Sequence, residues 1–564
     1  MIKNIQLLRS KFKKYNIDGY VVPKNDDYFT EYSKINRLKI ISNFSGSAGL
    51  AVILKKKNYL FTDGRYTLQS QIECGKNFKI INYEKLINCS LFKGLILGID
   101  PTLFTYQQIQ RIFSKHNKIK FIKKNLIDEI DKQKVNDIFP FFSLNKNIVG
   151  ESSQSKINKI SNYLKKNKSD FIFVSAPENV AWILNIRGND IPNTPMPNSR
   201  LIISKSKKIF LISKFEKCKK ILKNKVVNLQ QVVDTKKFSK KILELKGKTF
   251  IIDNKTCSIF FEDIIKSKFK ITKREDPTYL LKSIKNKTEI NYMKKAHISD
   301  GVALTKFIYW IKNINKKKIT EVEAQNKLEK FRKMNKNFLY PSFDTIAGSG
   351  KNGAIIHYRA NRKNCRTIKK QDIFLCDSGG QYKYGTTDVT RTICFSKPKL
   401  KIKEIFTNVL KGHIAVATTN LRKDNIGKKI DIRARKYLRK NNLDYEHGTG
   451  HGVGFFLNVH EGPQSISKIN KVKIKEGMIL SNEPGYYKKN KFGIRIENLV
   501  FVKKVKKKVY FENLTQVPIE KDLINYKLLN SSEKNYLFKY HFDVYQNISR
   551  YLNLKEKKWL ASFI

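Results

Sequence analysis

The chain has 564 residues, of which 40% are hydrophobic and 12% aromatic. This composition excludes a disordered or fibrous protein and predicts several folded domains with ample cores. Lysine and arginine total 113 against 48 aspartates and glutamates, a formal net charge of +65. Because the excess is spread along the whole chain without a focused patch or binding motif, we expect no nucleic acid as a primary partner.

The cysteines and the N-terminus indicate the cellular compartment. The seven cysteines show no CxxC spacing, which predicts reduced thiols. The first twenty residues lack the apolar core of a secretory signal, and no run approaches the 18 apolar residues of a transmembrane helix. We therefore expect a soluble cytoplasmic protein that has no membrane partner.

Two N-terminal blocks carry the same order of predicted elements. Residues 1–150 contain a short apolar strand, DGYVVP, and then two strands around a lysine-rich turn, LAVILKKKNYLFTDGRY. Residues 151–275 repeat this scheme, and RLIISKSKKIFLISKF is their pair of strands around a basic turn. The repetition predicts two related α/β domains in tandem. Neither block has a catalytic signature, so we expect them to form a scaffold and a dimer surface.

The third block, residues 276–500, has a different pattern. Apolar residues at three- and four-residue spacing predict a long helix over 284–311. Thr320 and Glu323 form a capping box that predicts the start of a second helix. Beyond these helices, short apolar strands alternate with glycine-rich turns. We expect an α+β domain here, with residues 501–564 as an extension packed on it.

The acidic residues of this block lie beside predicted strands. Asp377 ends an apolar strand, and Asp388 lies eleven positions further, past a glycine-rich turn at the start of the next strand. Antiparallel pairing of those two strands brings the carboxylates side by side. Glu483 follows an apolar run and Glu497 alternates with isoleucines, so both are predicted on strands as well.

The histidines are concentrated in the same block. HGTGHGVGFFLNVHEGP, residues 447–463, contains three of the eight histidines, and GAIIHYRA places His357 at the end of a predicted strand. Four buried carboxylates stay ionised together only if cations compensate them. Four carboxylates and one imidazole suffice for two divalent metals about 3.5–4 Å apart. An oxygen-rich ligand set with one nitrogen favours Mn²⁺, with Zn²⁺ or Co²⁺ as alternatives.

These segments resemble a known family. HGTGHGVGFFLNVHEGP, NEPGYY and GIRIEN are similar to segments of the pita-bread metallopeptidases, most closely the Xaa-Pro aminopeptidases of the long three-domain cytosolic type. The similarity extends over essentially the whole chain. It implies two non-catalytic, creatinase-like α/β domains at 1–150 and 151–275, followed by a pita-bread α+β catalytic domain.

The resemblance also implies the chemistry. It implies an enzyme that removes the N-terminal residue from peptides whose second residue is proline. It also implies a dinuclear metal centre, with a metal-activated hydroxide that attacks the carbonyl before proline, and a homodimeric assembly. Asp388 and Glu497 bridge the ions, and Glu483 also handles the proton. His460 hydrogen-bonds the scissile region, His357 lines the proline pocket, and His447 and Arg495 have supporting roles. The implied metal ligands are Asp377, Asp388, His451, Glu483 and Glu497.

Three other functions stay open. A prolidase has the same metal ligands but cleaves only Xaa-Pro dipeptides, and the long chain with its HGTGHGVG and NVHEGP segments favours the aminopeptidase. A pita-bread module that binds peptides or histones typically lacks the metal ligands, whereas all five positions are intact here. The third alternative is a protein that binds nucleic acid through its net charge. This hypothesis predicts that its binding to generic DNA depends steeply on the salt concentration.

Overall fold

The structure is a computed structural model, and it describes residues 1–87, 89–113, 118–132, 138–314 and 318–564. The chain divides into two compact units, Met1–Tyr279 and Leu280–Ile564. Within the described ranges, none of the helices combines the length and the apolar character needed to span a bilayer.

The first unit begins with a mixed sheet. Its strands are β1 (Gly19–Pro23), β2 (Leu50–Leu54), β3 (Asn58–Thr62), β4 (Lys79–Asn82), β5 (Ile96–Ile99) and β6 (Lys118–Phe121). They pair in the order β4-β3-β2-β1-β5-β6, where β2 is antiparallel to both neighbours and the other pairs are parallel. The helices are α1 (Ile2–Ser10), α2 (Phe12–Tyr15), α3 (Arg37–Ser42), α4 (Thr67–Cys74), α5 (Tyr106–Ile112) and α6 (Leu126–Ile130).

This first sheet is buried on both faces. Tyr20 and Val22 of β1 lie in one hydrophobic core, while Val21 lies in another. Successive side chains of a strand point to opposite faces, so the two cores cover the two sides of the sheet. A strand buried on both faces is a continuous apolar run, which is why GYVVP is recognisable in the sequence.

The second sheet of this unit repeats the first. Its strands are β8 (Phe171–Val174), β10 (Arg200–Ser204), β11 (Ile209–Ile212), β12 (Val232–Val233), β13 (Thr249–Ile252) and β14 (Lys270–Lys273), while β7 (Phe142–Ser143) and β9 (Ile186–Arg187) form a separate pair. The order is β12-β11-β10-β8-β13-β14, and β10 is antiparallel to both neighbours while the other pairs are parallel. The helices are α7 (Lys146–Val149), α8 (Ser153–Lys166), α9 (Pro177–Leu184), α10 (Phe215–Lys223), α11 (Phe238–Glu244) and α12 (Ile259–Lys266). Identical strand order and direction in the two sheets confirm the predicted tandem repeat.

The helices of the second unit follow the local sequence signals. They are α14 (Lys287–Asn313), α15 (Glu321–Lys333), α16 (Leu400–Ala417), α17 (Gly427–Arg439), α18 (Ser531–Ile548) and α19 (Leu554–Ala561), and α13 (Thr278–Ser283) spans the unit boundary. The capping box of Thr320 and Glu323 is confirmed at α15. The long predicted helix over 284–311 begins later, at Lys287, because Asn286 and Glu289 form a second capping box there.

The strands of the second unit form several small sheets. The strands are β15 (Phe338–Pro341), β16 (Ile346–Ser349), β17 (Ile373–Ser378), β18 (Gly380–Tyr382), β19 (Gly385–Thr386), β20 (Val389–Cys394), β21 (Gly450–Gly452), β22 (Glu461–Ile466), β23 (Ile479–Asn482), β24 (Gly485–Lys488), β25 (Phe492–Arg495), β26 (Asn498–Val505) and β27 (Lys508–Asn513). Among the described residues, the pairing orders are β15-β18-β19, β16-β17-β20, β22-β21-β23-β26-β27 and β24-β25.

The C-terminal helices pack on the same core as these sheets. Leu537, Tyr540 and Val544 of α18 share a hydrophobic cluster with Phe406 of α16 and with Ile494 of β25. This packing agrees with an extension folded onto the third block. The predicted boundaries at residues 150, 275 and 500 stay predictions, because contacts divide the chain only after Tyr279.

Candidate active site

Asp377 and Asp388 come together across a pair of antiparallel strands. Asp377 of β17 is opposite Thr390 of β20, and Asp388 lies two positions before Thr390. Asp388 directly precedes β20, one residue outside the predicted strand, and the charge of Asp377 raises the pKa of Asp388, so the two carboxylates lie close together. Both are buried. The predicted pairing of the two strands is present, but the segment between them forms the short strands β18 and β19 rather than a simple turn.

His451 faces two carboxylates. Its Nδ1 lies 2.9 Å from the carbonyl oxygen of Gly452 and donates a hydrogen bond to it. The other ring nitrogen, Nε2, lies 3.4 Å from Asp388 Oδ2 and 3.5 Å from Glu483 Oε1. One ligand atom from each of Asp388, His451 and Glu497 lies within 4.8 Å of the others. The carbonyl contact thus aims Nε2 of His451 at the carboxylates.

Glu483 and Glu497 lie just outside the strands rather than on them. Glu483 follows β23, and Glu497 lies between β25 and β26. The Ser481 hydroxyl donates to Glu483 Oε1 over 3.0 Å, and the Thr390 hydroxyl donates to Glu497 Oε2 over 2.7 Å. The prediction of strand positions was off by one residue in each case. The strand ends still aim both carboxylates into the cluster.

The electrostatics of this cluster fit divalent cations. Burial, with the nearby charge of Asp388, raises the pKa of Glu497 well above its usual range. Burial also raises the pKa of Asp388 to about 6, although its hydrogen bond to His451 lowers it. Asp377 Oδ1 is buried without a hydrogen-bond partner in the described part of the chain. Clustered carboxylates with an unsatisfied oxygen are what bound cations compensate.

Arg495 and His447 lie at the edge of the cluster, joined by a tyrosine. Arg495 is buried, pairs with Asp377 Oδ2, and donates from Nε to the Thr390 hydroxyl over 3.0 Å. Its Nη1 donates to the Tyr487 hydroxyl over 2.7 Å. That hydroxyl lies 2.8 Å from His447 Nε2. Tyr487 was missed by sequence reasoning, and its only sequence signal was its position four residues after Glu483 in NEPGYY.

His460 lies against the predicted ligand His451. The two ring centroids are 4.4 Å apart and the rings are nearly perpendicular, at 85°. His460 is half-buried. The structure therefore brings His460 beside the cluster.

His357 does not end a strand, which corrects the prediction. It lies in a turn that follows the 3-10 helix Gly350–Ala354, and it is half-buried. A Cβ on Gly493 of β25 would be 1.8 Å from the Gly353 carbonyl oxygen, so the 3-10 helix and β25 approach at a distance that only glycine permits. The apolar run GAII forms this close contact instead of a strand.

A buried carboxylate holds the segment that carries His357. Glu321, at the start of α15, is fully buried. Its carboxylate accepts hydrogen bonds from the Ser349 and Arg366 backbone N–H groups over 2.7 and 2.8 Å. It also accepts from the Tyr358 hydroxyl over 2.7 Å and from the Asn352 amide over 3.0 and 3.1 Å. These neutral donors lie on both sides of the 3-10 helix and next to His357.

We expect Glu321→Gln to lower the free energy of unfolding by about 2–4 kcal/mol. Hydrogen bonds to a charged acceptor contribute roughly 1.5–3 kcal/mol each, and a glutamine amide points its own donors at the N–H groups. Urea denaturation measures the change. Glu323→Gln on the same helix is the matched control, because glutamine also serves in a capping box and the change there is expected below about 1 kcal/mol. Equal losses in the two variants contradict the prediction.

Family comparisons cover nearly the whole chain. Residues 291–504 match the metallopeptidase family M24, and 507–562 match the C-terminal region of peptidase M24. Residues 4–131 and 131–289 each match the creatinase/prolidase N-terminal domain. The fold and the buried carboxylate–histidine cluster thus define a metal-dependent hydrolase. The predicted fold class, two α/β domains followed by a pita-bread domain, is confirmed.

Individual relatives are similar over the full length. A probable Xaa-Pro aminopeptidase P of Laccaria bicolor is 37% identical, over 98% of this chain and 91% of its own. One of Coprinopsis cinerea is 36% identical, over 99% and 97%. The crystal structure of X-prolyl aminopeptidase from Caenorhabditis elegans, described as cytosolic with a di-nuclear active site, has a TM-score of 0.92 and 29% identity over 100% of this chain and 98% of its own. A Pyrococcus furiosus prolidase, 28% identical with a TM-score of 0.52, covers 63% of this chain and 98% of its own. The chain belongs to the M24 metallopeptidases, in the group of the Xaa-Pro aminopeptidases P.

Proposed function

We propose that this protein removes the N-terminal residue from peptides whose second residue is proline. The observation that carries the proposal is the meeting of His451 with four carboxylates, three of them buried. The chain is also similar over 98% of its length to a probable Xaa-Pro aminopeptidase P. The Xaa-Pro bond is a tertiary amide without an N–H, so a site that recognises the proline ring itself is required.

We propose that the cluster holds two divalent ions, with Mn²⁺ favoured by the oxygen-rich ligand set. Two such ions, when bound, lower the pKa of water and stabilise negative charge on a carbonyl oxygen. The raised pKa values of Asp388 and Glu497 and the unpartnered oxygen of Asp377 support these ligands. The proposed ligands are Asp377, Asp388, His451, Glu483 and Glu497.

The remaining side chains have distinct proposed tasks. Glu483 accepts a proton from the attacking water and delivers it to the proline nitrogen of the leaving group; the Ser481 hydroxyl holds its Oε1. His460 donates a hydrogen bond to the scissile carbonyl region, and His357 lines the proline pocket. Arg495 holds Asp377 in place, and through Tyr487 it orients His447.

A cellular location and a state of assembly belong to the same proposal. A cytoplasmic location is supported by seven free cysteines in the described residues and by the Caenorhabditis elegans enzyme, which is described as cytosolic. A homodimer, with no nucleic-acid or membrane partner, is proposed from the family resemblance. Size-exclusion chromatography with light scattering measures the assembly.

Hydrolysis of three peptides, Arg-Pro-Pro, Arg-Ala-Pro and Gly-Pro, tests the function. With Mn²⁺ added, we expect the purified protein to convert Arg-Pro-Pro into arginine and Pro-Pro. A tripeptide without proline second, Arg-Ala-Pro, is the control and is expected to stay intact. If the protein cleaves Gly-Pro and leaves Arg-Pro-Pro intact, it is a prolidase. If it binds less than one metal ion per chain and cleaves neither peptide, it is a binding module.

A further inference from the structure

A group of three buried charges lies directly beside His460. Glu461 follows His460 in the chain, and its side chain is only 2% exposed. Lys282 Nζ lies 3.3 Å from Glu461 Oε2, and Lys285 Nζ pairs with Glu461 Oε1. The two lysine side chains are 3% and 0% exposed. Nothing in the proposed reaction uses these three residues.

The backbone around Glu461 is irregular. The register of β21 against β22 runs from Gly450 opposite Ile466 to His451 opposite Ser465. It then shifts, so that Gly452 is opposite Glu461. Residues 462–464 therefore bulge out of the ladder, and regular strand pairing does not continue up to His460. The position of this segment depends on its side-chain contacts.

The lysines are themselves tied to the sheet that carries His451. The backbone N–H of Lys285 donates to the Gly477 carbonyl oxygen over 2.9 Å, and Ile284 forms a β-bridge with Met478. Met478 directly precedes β23, the strand that pairs with β21. Lys285 Nζ also contacts the Ser283 carbonyl oxygen at 3.3 Å. The ion pair thus connects the irregular segment to a rigid part of the same sheet.

We propose that Lys285, assisted by Lys282, is a positioning residue for His460. By holding Glu461, the lysines fix the backbone next to His460 and keep its ring edge-on to His451. An intact buried ion pair adds little net stability, although the loss of one partner is strongly destabilising. We therefore infer that the intact pair acts on the geometry of this segment. The inference rests on the proposed peptidase function, because it assigns His460 to the reaction.

Steady-state kinetics on Arg-Pro-Pro test the proposal in two backgrounds. We expect Lys285→Met to lower kcat about 10- to 100-fold, the range for a catalytic group displaced by about 1 Å, while two metal ions stay bound. In the His460→Ala background we expect the same substitution to change kcat less than about threefold, because the group that it positions is gone. Equal factors in the two backgrounds, or loss of metal with Lys285→Met, overturn the proposal. If the wild-type protein fails to cleave the peptide, the proposed function fails instead.

Two further variants separate positioning from folding. Lys282→Met serves if Lys285→Met does not fold, because the pair of Lys285 with Glu461 stays intact. We expect this variant to lower kcat about 3- to 10-fold, again only when His460 is present. Lys312→Met is the matched control, because it breaks the pair of the half-buried Lys312 with the buried carboxylate of Glu520, at 2.6 Å. We expect it to lower Tm without changing kcat. Unchanged kcat in Lys282→Met overturns the proposal when Lys285→Met cannot be purified.

Discussion

Asp388→Ala is expected to lower the kcat for Arg-Pro-Pro hydrolysis by at least about 10³-fold in the presence of Mn²⁺. Loss of a single group that stabilises developing charge costs roughly 10²–10³ in rate, and Asp388 is proposed to bridge both ions. Its Oδ2 lies 3.4 Å from His451 Nε2, and the nearby charge of Asp377 raises its pKa. Its removal therefore weakens the binding of both ions as well as the chemistry.

Metal analysis and kinetics on the same preparation check this result. We expect the wild-type protein to bind two ions per chain and Asp388→Ala to bind one or none. Asp424→Ala is the control, because Asp424 pairs with Arg433 at the surface, away from the cluster; its activity and metal content are expected to match the wild type. A variant of Asp388 that keeps both ions and normal kcat contradicts the proposed ligand set.

Removal of the metal is expected to abolish activity and to lower Tm by roughly 10 °C. A ligand present at 1,000 times its Kd stabilises the folded state by about 4 kcal/mol, and each kcal/mol shifts Tm by roughly 2–4 °C in a domain of 150–250 residues. The effect is expected in the second unit, where Glu497, Asp388 and Asp377 are buried close together. Without cations, these carboxylates repel one another or take up protons.

Differential scanning calorimetry with a chelator, and again after Mn²⁺ is restored, measures this shift. We expect the stabilisation by Mn²⁺ to disappear in the double variant Asp388→Ala, Glu497→Ala, which lacks both proposed bridging ligands. Restored activity together with restored Tm ties the two effects to the same ions. An unchanged Tm and full activity after exhaustive chelation exclude a metal-dependent site in this cluster.

Much of the fold was predictable because the relevant signals are local. The capping box at Thr320, the lysine-rich turn between β2 and β3, and the buried strand β1 each depend on neighbouring residues only. Periodicity and turn chemistry report such elements directly. The glycine-rich turn between Asp377 and Asp388 likewise predicted the strand pair that joins them.

Other features depend on contacts between distant parts of the chain. His357 lies in a turn because Gly353 and Gly493, 140 positions apart, let two backbones touch. Tyr487 is important through the side chains it contacts, Arg495 and His447, and not through its own sequence position. A local sequence pattern carries no information about contacts between residues that are distant in the chain, because burial and proximity are properties of the folded chain.

The sequence by itself determined the long helices, the tandem repeat of the first unit and the set of chemically capable side chains, because hydrophobic period, capping and turn residues act over a few positions. Only the tertiary structure decided which charges are buried together. Lys285 and Glu461 are 176 positions apart, and Asp377 and Arg495 are 118 apart. The free energy of such a pair depends on its desolvation and distance, and both exist only once the chain has folded.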